Sequence, residues 1–490
     1  MILATVNHSF RYELEKLCRI FMPYEAIRFE EQIPSADEYI LTHLQKGDKT
    51  TVLLSKVVIG GKEQTNSIEI LNTTEDYTSE CERNLAVMLY KCFVALTGYE
   101  SAWGILTGVR PAKLYSKLTR NLGEPATADY FKNSLLVSDG KIGLCSTTFK
   151  SEEKITALSK PNSFSLYISI PFCPTRCSYC SFVSHSVEKA GKLVEEYLSL
   201  LKQELILTAK KAKENSLRLE TIYIGGGTPT TLSDVQLEDL ISCIKDNFDL
   251  STLREFTVEA GRPDTVTAEK LGVLKNLGVD RISINPQTLN DEVLANIGRA
   301  HTVEQFFEAY KTAKQVGFKV INTDLIAGLP GDDFDSFKKT VDKIIQLDPE
   351  NVTVHTLSLK RSSNMSANKL FPDKALGEEA LKMVDYALKA LKQAGIVPYY
   401  MYRQSKTVGN LENVGYAKEG TEGLYNIYIM DETHSVLACG ASAVTKLREP
   451  NGPYIERIFN FKYPYEYISR FEEIIERKEG ISHFYDKYNK

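Results

Sequence analysis

Regular alternation of short apolar strands with amphipathic helices most restricts how this chain can fold, and it begins near Ser165. The candidate strands are Leu166–Ile170, Thr221–Ile224, Glu255–Glu259, Arg281–Ile284, Lys319–Leu325 and Asn351–Thr356. Such alternation is typical of an α/β fold in which crossover helices connect the strands of a parallel sheet. Six strand–helix units are too few for a closed eight-stranded barrel. The pattern therefore predicts a partial (β/α)6 barrel of the TIM type.

The length of the chain, 490 residues, predicts more than one domain, because single hydrophobic cores rarely grow that large. Residues 1–100 are predicted to form a small N-terminal α/β domain, and residues 101–162 a connector. The barrel core would then occupy residues 163–356. Residues 357–490 would form a C-terminal α+β extension that faces the substrate.

The composition is that of a globular protein, with 43% hydrophobic and 25% charged residues. A net charge of −5 provides no general attraction to nucleic acid, so no nucleic-acid partner is expected. No apolar run is long enough to span a bilayer, and no secretory leader is visible at the N-terminus. We therefore expect a cytoplasmic protein whose scattered cysteines are small buried hydrophobes. They are Cys18, Cys81, Cys92, Cys145, Cys243 and Cys439.

The other three of the nine cysteines, Cys173, Cys177 and Cys180, lie on one short segment directly after the first predicted barrel strand. Three thiolates on one loop can bind three irons of a [4Fe–4S] cube, because soft sulfur ligands suit iron–sulfur clusters. The fourth iron would keep an open coordination position, and an open metal site is a reactive one. A zinc site is the alternative, for which His185 is the nearby candidate for a fourth ligand.

A glycine-rich segment, Gly225-Gly226-Gly227-Thr228-Pro229, follows the second predicted strand. Glycines let a ligand approach the backbone closely, and they leave N–H groups free to bind an anionic group such as a carboxylate. A plain turn is the alternative interpretation. Because the C-terminal ends of parallel barrel strands meet at one edge, the segment is expected to lie beside the cysteine motif.

Polar side chains also stand near the ends of the next three strands, where barrel enzymes carry their chemistry. Glu259 closes the third strand and could accept a hydrogen bond from an ammonium or hydroxyl group, with a salt bridge to Arg262 as the alternative. Gln287 and Arg299 follow the fourth strand. Asp324 lies near the end of the fifth strand and could bind a ribose diol, as acidic residues do in dinucleotide sites. Together these residues are predicted to line one barrel mouth.

These motifs resemble those of the radical S-adenosylmethionine (SAM) superfamily, with CxxxCxxC after the first strand, GGGTP after the second and the polar residues downstream. The finer pattern, including Tyr167-Ile-Ser-Ile-Pro-Phe-Cys173 and Asp324-Leu-Ile-Ala-Gly-Leu-Pro330, is similar to that of the oxygen-independent coproporphyrinogen III oxidase group. The whole chain resembles the HemZ branch of that group, notably in the tyrosine-rich stretch 399–416.

The resemblance implies a [4Fe–4S] cluster held by Cys173, Cys177 and Cys180, and a bound S-adenosyl-L-methionine that chelates the open iron. One electron would cleave the sulfonium to a 5′-deoxyadenosyl radical, which takes a hydrogen atom from the substrate. Further residues implied at the site are Tyr167 and Tyr179 beside cluster or cofactor, Gly226, Gly227, Thr228 and Glu259 at the methionine end, and Gln287, Arg299 and Asp324 at the ribose and carboxylate. Tyr167 and Gln287 are the candidate catalytic residues.

Two departures from the family patterns bear on the activity. The oxidases carry a further cysteine two residues after the third cluster ligand, where this chain has Phe182, as the haem-chaperone relatives do. Those chaperones carry a C-terminal His-Asn-x-x-Tyr-Trp pattern, which is absent from this chain, whose single tryptophan is Trp103. The first departure argues against the decarboxylase, and the second argues against a chaperone.

The segment after residue 356 is expected to meet the substrate. A tetrapyrrole with four propionates requires cations. The candidate cations are Lys360, Arg361, Arg403, Lys406 and Arg448. Tyrosines that could face a flat macrocycle, or pack in a core, are Tyr399, Tyr400, Tyr402, Tyr416, Tyr425 and Tyr428. His434 or Cys439 could be an axial haem ligand, with a turn histidine and a core cysteine as the alternatives.

The activity that the resemblance implies is oxygen-independent oxidative decarboxylation of coproporphyrinogen III to protoporphyrinogen IX, with a flavodoxin or ferredoxin as electron donor. One alternative is other radical SAM chemistry on a porphyrin, such as methyl transfer or anaerobic haem ring opening. Another is a haem-binding or haem-delivery protein. In every case the small-molecule partner is a porphyrinogen or a haem-type molecule.

Overall fold

The structure is a computed structural model that describes residues 1–180, 185–358, 374–404 and 406–488. Its residues form two compact units. The N-terminal unit contains residues 1–147 together with 402–411, and the barrel unit contains residues 148–401 together with 412–490. None of the helices in the described ranges is long and apolar enough to cross a membrane.

The N-terminal unit is built on a five-stranded mixed sheet in the order β2-β1-β3-β4-β5. Its strands are β1 (Ile2–Val6), β2 (Arg28–Glu30), β3 (Tyr39–Lys46), β4 (Thr50–Ile59) and β5 (Lys62–Leu71). Its helices are α1 (Arg11–Phe21), α2 (Tyr77–Thr97), α3 (Pro111–Leu122), α4 (Glu124–Asp129) and the first half of α5 (Asp139–Thr156). The buried faces of α1 and α2, with Leu14 and Leu85 among them, pack on Leu3, Ile40 and Leu53 of the sheet.

The barrel unit carries the remaining strands. They are β6 (Ser163–Ile170), β7 (Phe172–Cys173), β8 (His185–Ser186), β9 (Arg218–Gly226), β10 (Glu255–Glu259), β11 (Arg281–Ser283), β12 (Val320–Ala327), β13 (Asn351–Thr356), β14 (Val397–Arg403, whose last two residues belong to the N-terminal unit), β15 (Glu412–Ala417), β16 (Ser435–Cys439), β17 (Val444–Arg448) and β18 (Ile455–Phe459).

Helices follow most of these strands. They are α6 (Val187–Ala190), α7 (Val194–Glu214), α8 (Asp234–Asn247), α9 (Ala268–Asn276), α10 (Asp291–Asn296), α11 (Val303–Val316), α12 (Phe334–Gln346), α13 (Lys374–Gln393), α14 (Leu424–Asp431), α15 (Pro464–Ser469) and α16 (Phe471–Asp486). Several begin at polar caps: Ser233 and Gln236 form a capping box before α8, and Thr302 and Gln305 form another before α11.

The predicted partial barrel is confirmed. Six strands, β6 and β9 to β13, lie side by side in parallel at the centre of an 11-stranded sheet of order β14-β15-β13-β12-β11-β10-β9-β6-β16-β17-β18. The extension lengthens this sheet at both ends: β15 pairs antiparallel with β13, and β16 pairs parallel with β6. The predicted strands match closely, although β6 begins at Ser163 and β9 runs from Arg218 to Gly226.

The two faces of the barrel strands differ in polarity. Fully buried apolar side chains point toward the helices, among them Leu166, Ile168, Ile222, Ile224, Phe256, Val258, Ile282, Ile321 and Val352. Polar residues alternate with them on the opposite face, among them Tyr167, Tyr223, Thr257, Glu259, Ser283, Asn322, Asp324, Thr353 and His355. Closed TIM barrels fill that face with branched apolar side chains. The polar interior of this partial barrel is therefore suited to a polar ligand.

Candidate functional site

The cysteine motif forms a loop at the C-terminal end of β6. Cys173 ends the short strand β7, which pairs with β8, and the N–H of Cys180 donates to the carbonyl of Cys177 at 3.2 Å. None of the three thiols forms a disulfide, and each is partly exposed. By contrast, five of the six scattered cysteines are buried, as predicted, and Cys243 is partly exposed.

The far side of the cysteine loop is held by the chain that follows α10. The N–H and the hydroxyl of Ser178 both donate to the carbonyl of Ile297, at 3.0 and 3.1 Å. The hydroxyl of Thr175 donates to the carbonyl of Gly298 at 3.5 Å. Gly298 has a φ of +76°, a conformation that favours glycine. Residues between the fourth and fifth barrel strands thus fix the position of the loop.

The glycine-rich segment lies beside the cysteine loop, as predicted. The N–H groups of Gly227 and Thr228 donate to the carbonyls of Ile170 and Phe172, both at 2.8 Å. A Cβ atom at Gly227 would lie 2.5 Å from the carbonyl oxygen of Phe172, so only glycine fits. The Thr228 hydroxyl donates to the Cys173 sulfur at 3.5 Å. The expectation that these two N–H groups are free for an anion is therefore wrong, and close packing against the cysteine strand is what requires glycine.

Glu259 stands at the end of β10 and accepts a hydrogen bond from the Tyr223 hydroxyl at 2.5 Å. Burial raises the pKa of Glu259 to about 7, and nearby Asp324 also raises it, whereas the Tyr223 bond lowers it. The alternative salt bridge with Arg262 is not formed, because the Arg262 guanidinium pairs with Asp264 at 2.8 Å. Glu259 is therefore a carboxyl group that can change charge near neutral pH.

Asp324 is held in one orientation by two amides. Its Oδ2 atom accepts from Asn285 Nδ2 at 2.8 Å, and its Oδ1 atom accepts from Asn322 Nδ2 at 2.7 Å. His355 Nε2 lies 3.7 Å from Oδ2. Burial acts to raise the pKa of Asp324, but His355 and the hydrogen-bond donors outweigh it and lower the pKa. Asp324 is thus a fixed carboxylate facing the barrel interior.

Gln287 and Arg299 occupy different places in the site. Gln287 is buried with a φ of +71°, and its N–H donates to the carbonyl of Asp324 at 3.0 Å. The Arg299 guanidinium donates to the Tyr179 hydroxyl, at 3.3 Å from Nε and 3.2 Å from Nη2. Its Nη1 atom donates to the carbonyl of Gly261 at 3.1 Å. Arg299 therefore connects the cysteine loop to the end of β10.

Three tyrosines stack on one another in the barrel unit. The rings of Tyr223 and Tyr425 lie 4.5 Å apart between centroids, and Tyr167 lies 6.2 and 6.1 Å from them, with all three rings near parallel. Burial raises the pKa of the Tyr167 phenol. The other candidate tyrosines in this unit serve mainly as core: those that are almost completely buried are Tyr399, Tyr400, Tyr416 and Tyr428.

Two of the cations expected at the substrate have structural roles instead. Within the N-terminal unit, the buried Arg403 lies 5.2 Å from the Trp103 ring and donates to the carbonyls of Leu106 and Asn410. Arg448 donates to the carbonyls of Thr433 and Gly452. Backbone carbonyls in turns need donors, and a local pattern does not show which arginine supplies them.

The remaining residues that were expected near the substrate or the cluster are Lys406, Lys360, Arg361 and Phe182. Lys406 is exposed and lies 5.9 Å from the Tyr24 ring. Lys360, Arg361 and Phe182 lie outside the described residues.

His434 and Cys439 are core residues, in line with the alternatives rather than with haem ligation. The two ring nitrogens of His434 are hydrogen-bonded to the hydroxyls of Ser159 and Ser165, each at 2.8 Å. Cys439 is fully buried, and its sulfur contacts the Thr208 hydroxyl at 3.3 Å. Neither group could reach a haem iron without unfolding its surroundings.

Sequence reasoning missed four polar residues of the site. They are Tyr223, Arg262, Asn285 and His355. The signal for His355 was present, because Thr353 and His355 alternate with Val352 and Val354 along β13. Arg262 carried no such signal, since its partner in the cysteine loop lies 87 positions earlier in the chain.

The donor set fits an iron–sulfur cube. In the described part of the chain, no three His, Cys, Asp or Glu side chains come close enough to hold a single metal ion. A cube spreads its ligands over three irons, so its cysteines stand further apart than the ligands of one ion. Three partly exposed thiols without disulfides, on a loop beside the polar barrel interior, meet that requirement.

Comparison with known proteins agrees with this geometry. The family model described as the radical SAM superfamily matches residues 167–344. The oxygen-independent coproporphyrinogen-III oxidase-like protein HemZ of Bacillus subtilis is 37% identical over 473 residues, which cover 95% of this chain and 94% of that protein. The heme chaperone HemW of the same organism is 34% identical over 61% of this chain and 77% of its own length.

A solved structure shows the same fold. Coproporphyrinogen III oxidase (HemN) from Escherichia coli, a radical SAM enzyme, superimposes with a TM-score of 0.51 at 22% identity, covering 65% of this chain and 71% of that one. Radical SAM proteins use a [4Fe–4S] cluster and S-adenosyl-L-methionine, and these are the cofactors of this chain. The chain belongs to the radical SAM superfamily and, within it, to the group of oxygen-independent coproporphyrinogen-III oxidase-like proteins that includes HemZ.

Proposed function

We propose that the protein catalyses the oxygen-independent oxidative decarboxylation of coproporphyrinogen III, converting two propionates to vinyl groups and giving protoporphyrinogen IX. The observation that carries this proposal is the polar barrel interior, which opens beside a loop of three partly exposed cysteines at the C-terminal ends of the strands. The similarity to HemZ over nearly the whole chain supports it, and so does the shared fold with HemN.

In this proposal Cys173, Cys177 and Cys180 hold the cluster. When bound, the cluster and S-adenosyl-L-methionine together supply a 5′-deoxyadenosyl radical, which removes a hydrogen atom from the β-carbon of a propionate. Loss of carbon dioxide and transfer of one electron to an acceptor then complete each vinyl group. The loop contacts of Ser178 and Thr175 keep the three thiolates on the rim of the barrel interior.

The residues around the loop would hold the second cofactor. Ionised Glu259 would accept from the amino group of the methionine end, next to Gly226, Gly227 and Thr228. Asp324 would accept from the ribose hydroxyls, because Asn285 and Asn322 leave its oxygens facing the interior. Arg299 would meet the cofactor carboxylate, with Tyr179 fixing the guanidinium.

Tyr167 and Gln287 remain the proposed catalytic residues. Tyr167 lies in the stack with Tyr223 and Tyr425. Gln287 lies directly beside the Asp324 backbone, with its own carbonyl accepting from the N–H of Ile326 at 2.9 Å. Both would place substrate or cofactor close to the cysteine loop and limit the access of water to the radical.

The electron donor proposed is a flavodoxin or a ferredoxin, since one low-potential electron is needed for each cofactor cleaved. We place the reaction in the cytoplasm, where such donors and a porphyrinogen are both accessible. The proposed small-molecule partner is the porphyrinogen itself.

The similarity to HemW favours haem binding and delivery as a second candidate function. Against it, His434 and Cys439 are engaged in the core and could not ligate haem iron. A third candidate is a different radical reaction on a porphyrin, such as methyl transfer or anaerobic ring opening, which would use the same cofactor site.

One experiment separates these functions. The cluster is reconstituted anaerobically, and reductant, S-adenosyl-L-methionine and coproporphyrinogen III are added, after which 5′-deoxyadenosine and porphyrin masses are followed together. Vinyl products formed in step with 5′-deoxyadenosine support the decarboxylase. 5′-Deoxyadenosine without loss of carbon dioxide points to another radical reaction. Stoichiometric haem binding without cofactor cleavage points to delivery.

A further inference from the structure

Arg262 is a buried cation beside the cysteine loop that the proposed function leaves without a role. It follows β10, and its side chain is 4% exposed. Its Nε and Nη2 atoms donate to the two carboxylate oxygens of Asp264, at 2.9 and 2.8 Å. This bidentate pair fixes the plane of the guanidinium and leaves Nη1 to point elsewhere.

The Nη1 atom of Arg262 points into the cysteine loop. It donates to the Thr175 hydroxyl at 3.1 Å and to the Thr175 carbonyl at 3.4 Å, and it lies 4.0 Å from the sulfur of Cys177. Because Nη1 of this buried arginine lies so close to the sulfur of Cys177, a candidate cluster ligand, it is placed to donate a hydrogen bond to that sulfur. Donors to the sulfurs and nearby charge are main determinants of iron–sulfur reduction potentials.

The other charged groups near Arg262 are placed differently. Arg299 also brings positive charge near Cys177, but its nitrogens donate to the Tyr179 hydroxyl and the Gly261 carbonyl. His301 is buried, and burial together with Arg299 and Arg262 lowers its pKa to about 4, so it is neutral at physiological pH. Asp264 is therefore the charge that directly opposes Arg262.

We propose that Arg262 is a positioning residue that raises the reduction potential of the cluster by directing Nη1 at the Cys177 thiolate, and that Asp264 moderates this effect. The inference rests on the proposed assignment of Cys177 as a cluster ligand and on no particular substrate. The step that it affects is the entry of one electron into the cluster, in which no bond forms or breaks. A positive charge and a donor at the sulfur stabilise the extra negative charge of the reduced state.

The two partners give predictions of opposite sign. Arg262→Gln removes the positive charge and should shift the midpoint potential to a more negative value. The equilibrium constant for reduction should fall about tenfold or more, and each tenfold corresponds to about 59 mV for one electron. Asp264→Asn keeps the hydrogen-bonding shape, removes the opposing charge and should shift the potential to a more positive value. Arg262→Lys keeps the charge without the bidentate fork and should lie between wild type and Arg262→Gln.

The measurement is an EPR-monitored redox titration of the full chain after anaerobic reconstitution, without S-adenosyl-L-methionine or substrate. Iron and sulfide contents are determined in parallel. Arg254→Gln is the matched control, because Arg254 precedes the same strand at its opposite end, where it pairs with Glu220 at 3.3 Å. Its midpoint potential should equal that of wild type.

Shifts of opposite sign in Arg262→Gln and Asp264→Asn support the inference, because a general loosening of the loop would move both in the same direction. Equal potentials in all variants, or two shifts of the same sign, overturn it. If Arg262→Gln fails to hold the cluster, Asp264→Asn decides alone: a positive shift supports the inference and an unchanged potential refutes it. Failure of the decarboxylation assay would leave these outcomes unaffected, since neither substrate nor turnover is involved.

Discussion

Glu259 shows at the scale of a single residue how burial prepares a side chain for a ligand. Its pKa is raised to about 7, first by burial and then by Asp324, and the hydrogen bond from Tyr223 offsets this rise only in part. The amino group of the cofactor would stabilise the ionised carboxylate. The carboxyl group is therefore costly to ionise alone and favourable to ionise in the complex.

The affinity for S-adenosyl-L-methionine should accordingly depend on pH. Below pH 7 a proton must leave Glu259 before it can meet the amino group of the cofactor as a carboxylate, so affinity should fall by up to about tenfold for each pH unit between pH 7 and 5. Equilibrium binding to the reconstituted protein measures this. Glu259→Gln should bind more weakly, by about tenfold or more at pH 8, and with a flatter pH profile. A wild-type affinity that is constant across this range would contradict the role of Glu259.

The same substitution should stabilise the protein without cofactor. The folded-state pKa of Glu259 lies above the ordinary value of 4.5, so ionisation opposes folding, and that penalty is fully present above pH 7. Glu259→Gln removes it. We expect the variant to melt at a higher temperature than wild type at pH 8, with a smaller difference at pH 5. A larger gain at pH 5 would contradict this explanation.

His434 gives a second pH-dependent prediction, for stability alone. Burial, with Arg448 and Arg254, lowers its pKa to about 3, whereas the unfolded chain protonates near 6.5. Falling pH therefore favours the unfolded chain, by at most about 1.4 kcal/mol per pH unit between pH 6.5 and 3. His434→Gln should flatten the loss of stability between pH 6 and 4, measured by urea unfolding. His483→Gln, at an exposed site, should leave the slope unchanged, and equal slopes in all three proteins would contradict the prediction.

At the scale of elements, the strands that lead to Cys173 (β6 and β7, called the cysteine strand below) are held in place by a helix and by a turn from the C-terminal part of the barrel unit. The Tyr197 hydroxyl of α7 donates to the carbonyl of Ser169 at 2.7 Å and accepts from the N–H of Ala441 at 2.9 Å. Its ring lies 5.3 Å from that of Phe172, which directly precedes Cys173. A Cβ atom at Gly440 would lie 2.5 Å from this hydroxyl, so the turn after β16 approaches as closely as glycine permits.

A fully buried ion pair anchors that turn. Glu204 of α7 accepts from Lys478 of α16 at 2.9 Å, and neither side chain is exposed. The carboxylate also accepts from the N–H of Gly440 at 2.8 Å and from the Tyr467 hydroxyl at 2.6 Å. Removing one partner of such a pair leaves a buried charge uncompensated, which typically costs about 3–5 kcal/mol. The segment that ends in α16 is therefore part of the support of the cysteine strand.

Tyr197→Phe tests this support with the smallest change available. Loss of the hydroxyl should cost about 1 kcal/mol of stability and should speed iron release to a chelator several-fold, because the strand before Cys173 loses a tether. Tyr485→Phe is the control, since its buried hydroxyl bonds to Ser435 at 2.5 Å, at the end of β16 opposite to the turn that Tyr197 contacts. Equal iron release from both variants would mean that Tyr197 contributes stability only.

At the scale of the whole molecule, the parts that could be predicted are those with a local pattern. Six strands were found because each alternates or clusters apolar residues between helices, and the cysteine and glycine motifs mark the ends of two of them. The partners of Arg403 and His434 were not predictable, because they come from distant segments, as Leu106 does for Arg403 and Ser159 and Ser165 do for His434. Arg448 binds nearby carbonyls, which no local pattern marks. The polar interior was predictable in part, since polar residues such as Thr353 and His355 alternate with apolar ones along the strands.

The polar interior is where substrate and cofactors would meet, because a substrate can react with the radical only in a space that both cofactors face. The most direct test uses coproporphyrinogen III deuterated at the propionate β-carbons, given to the reconstituted and reduced protein with S-adenosyl-L-methionine. We predict one deuterium atom in 5′-deoxyadenosine for each vinyl group formed, detected by mass spectrometry, and no turnover in Cys177→Ala. Unlabelled 5′-deoxyadenosine, or vinyl products from the Cys177→Ala protein, would contradict the central claim.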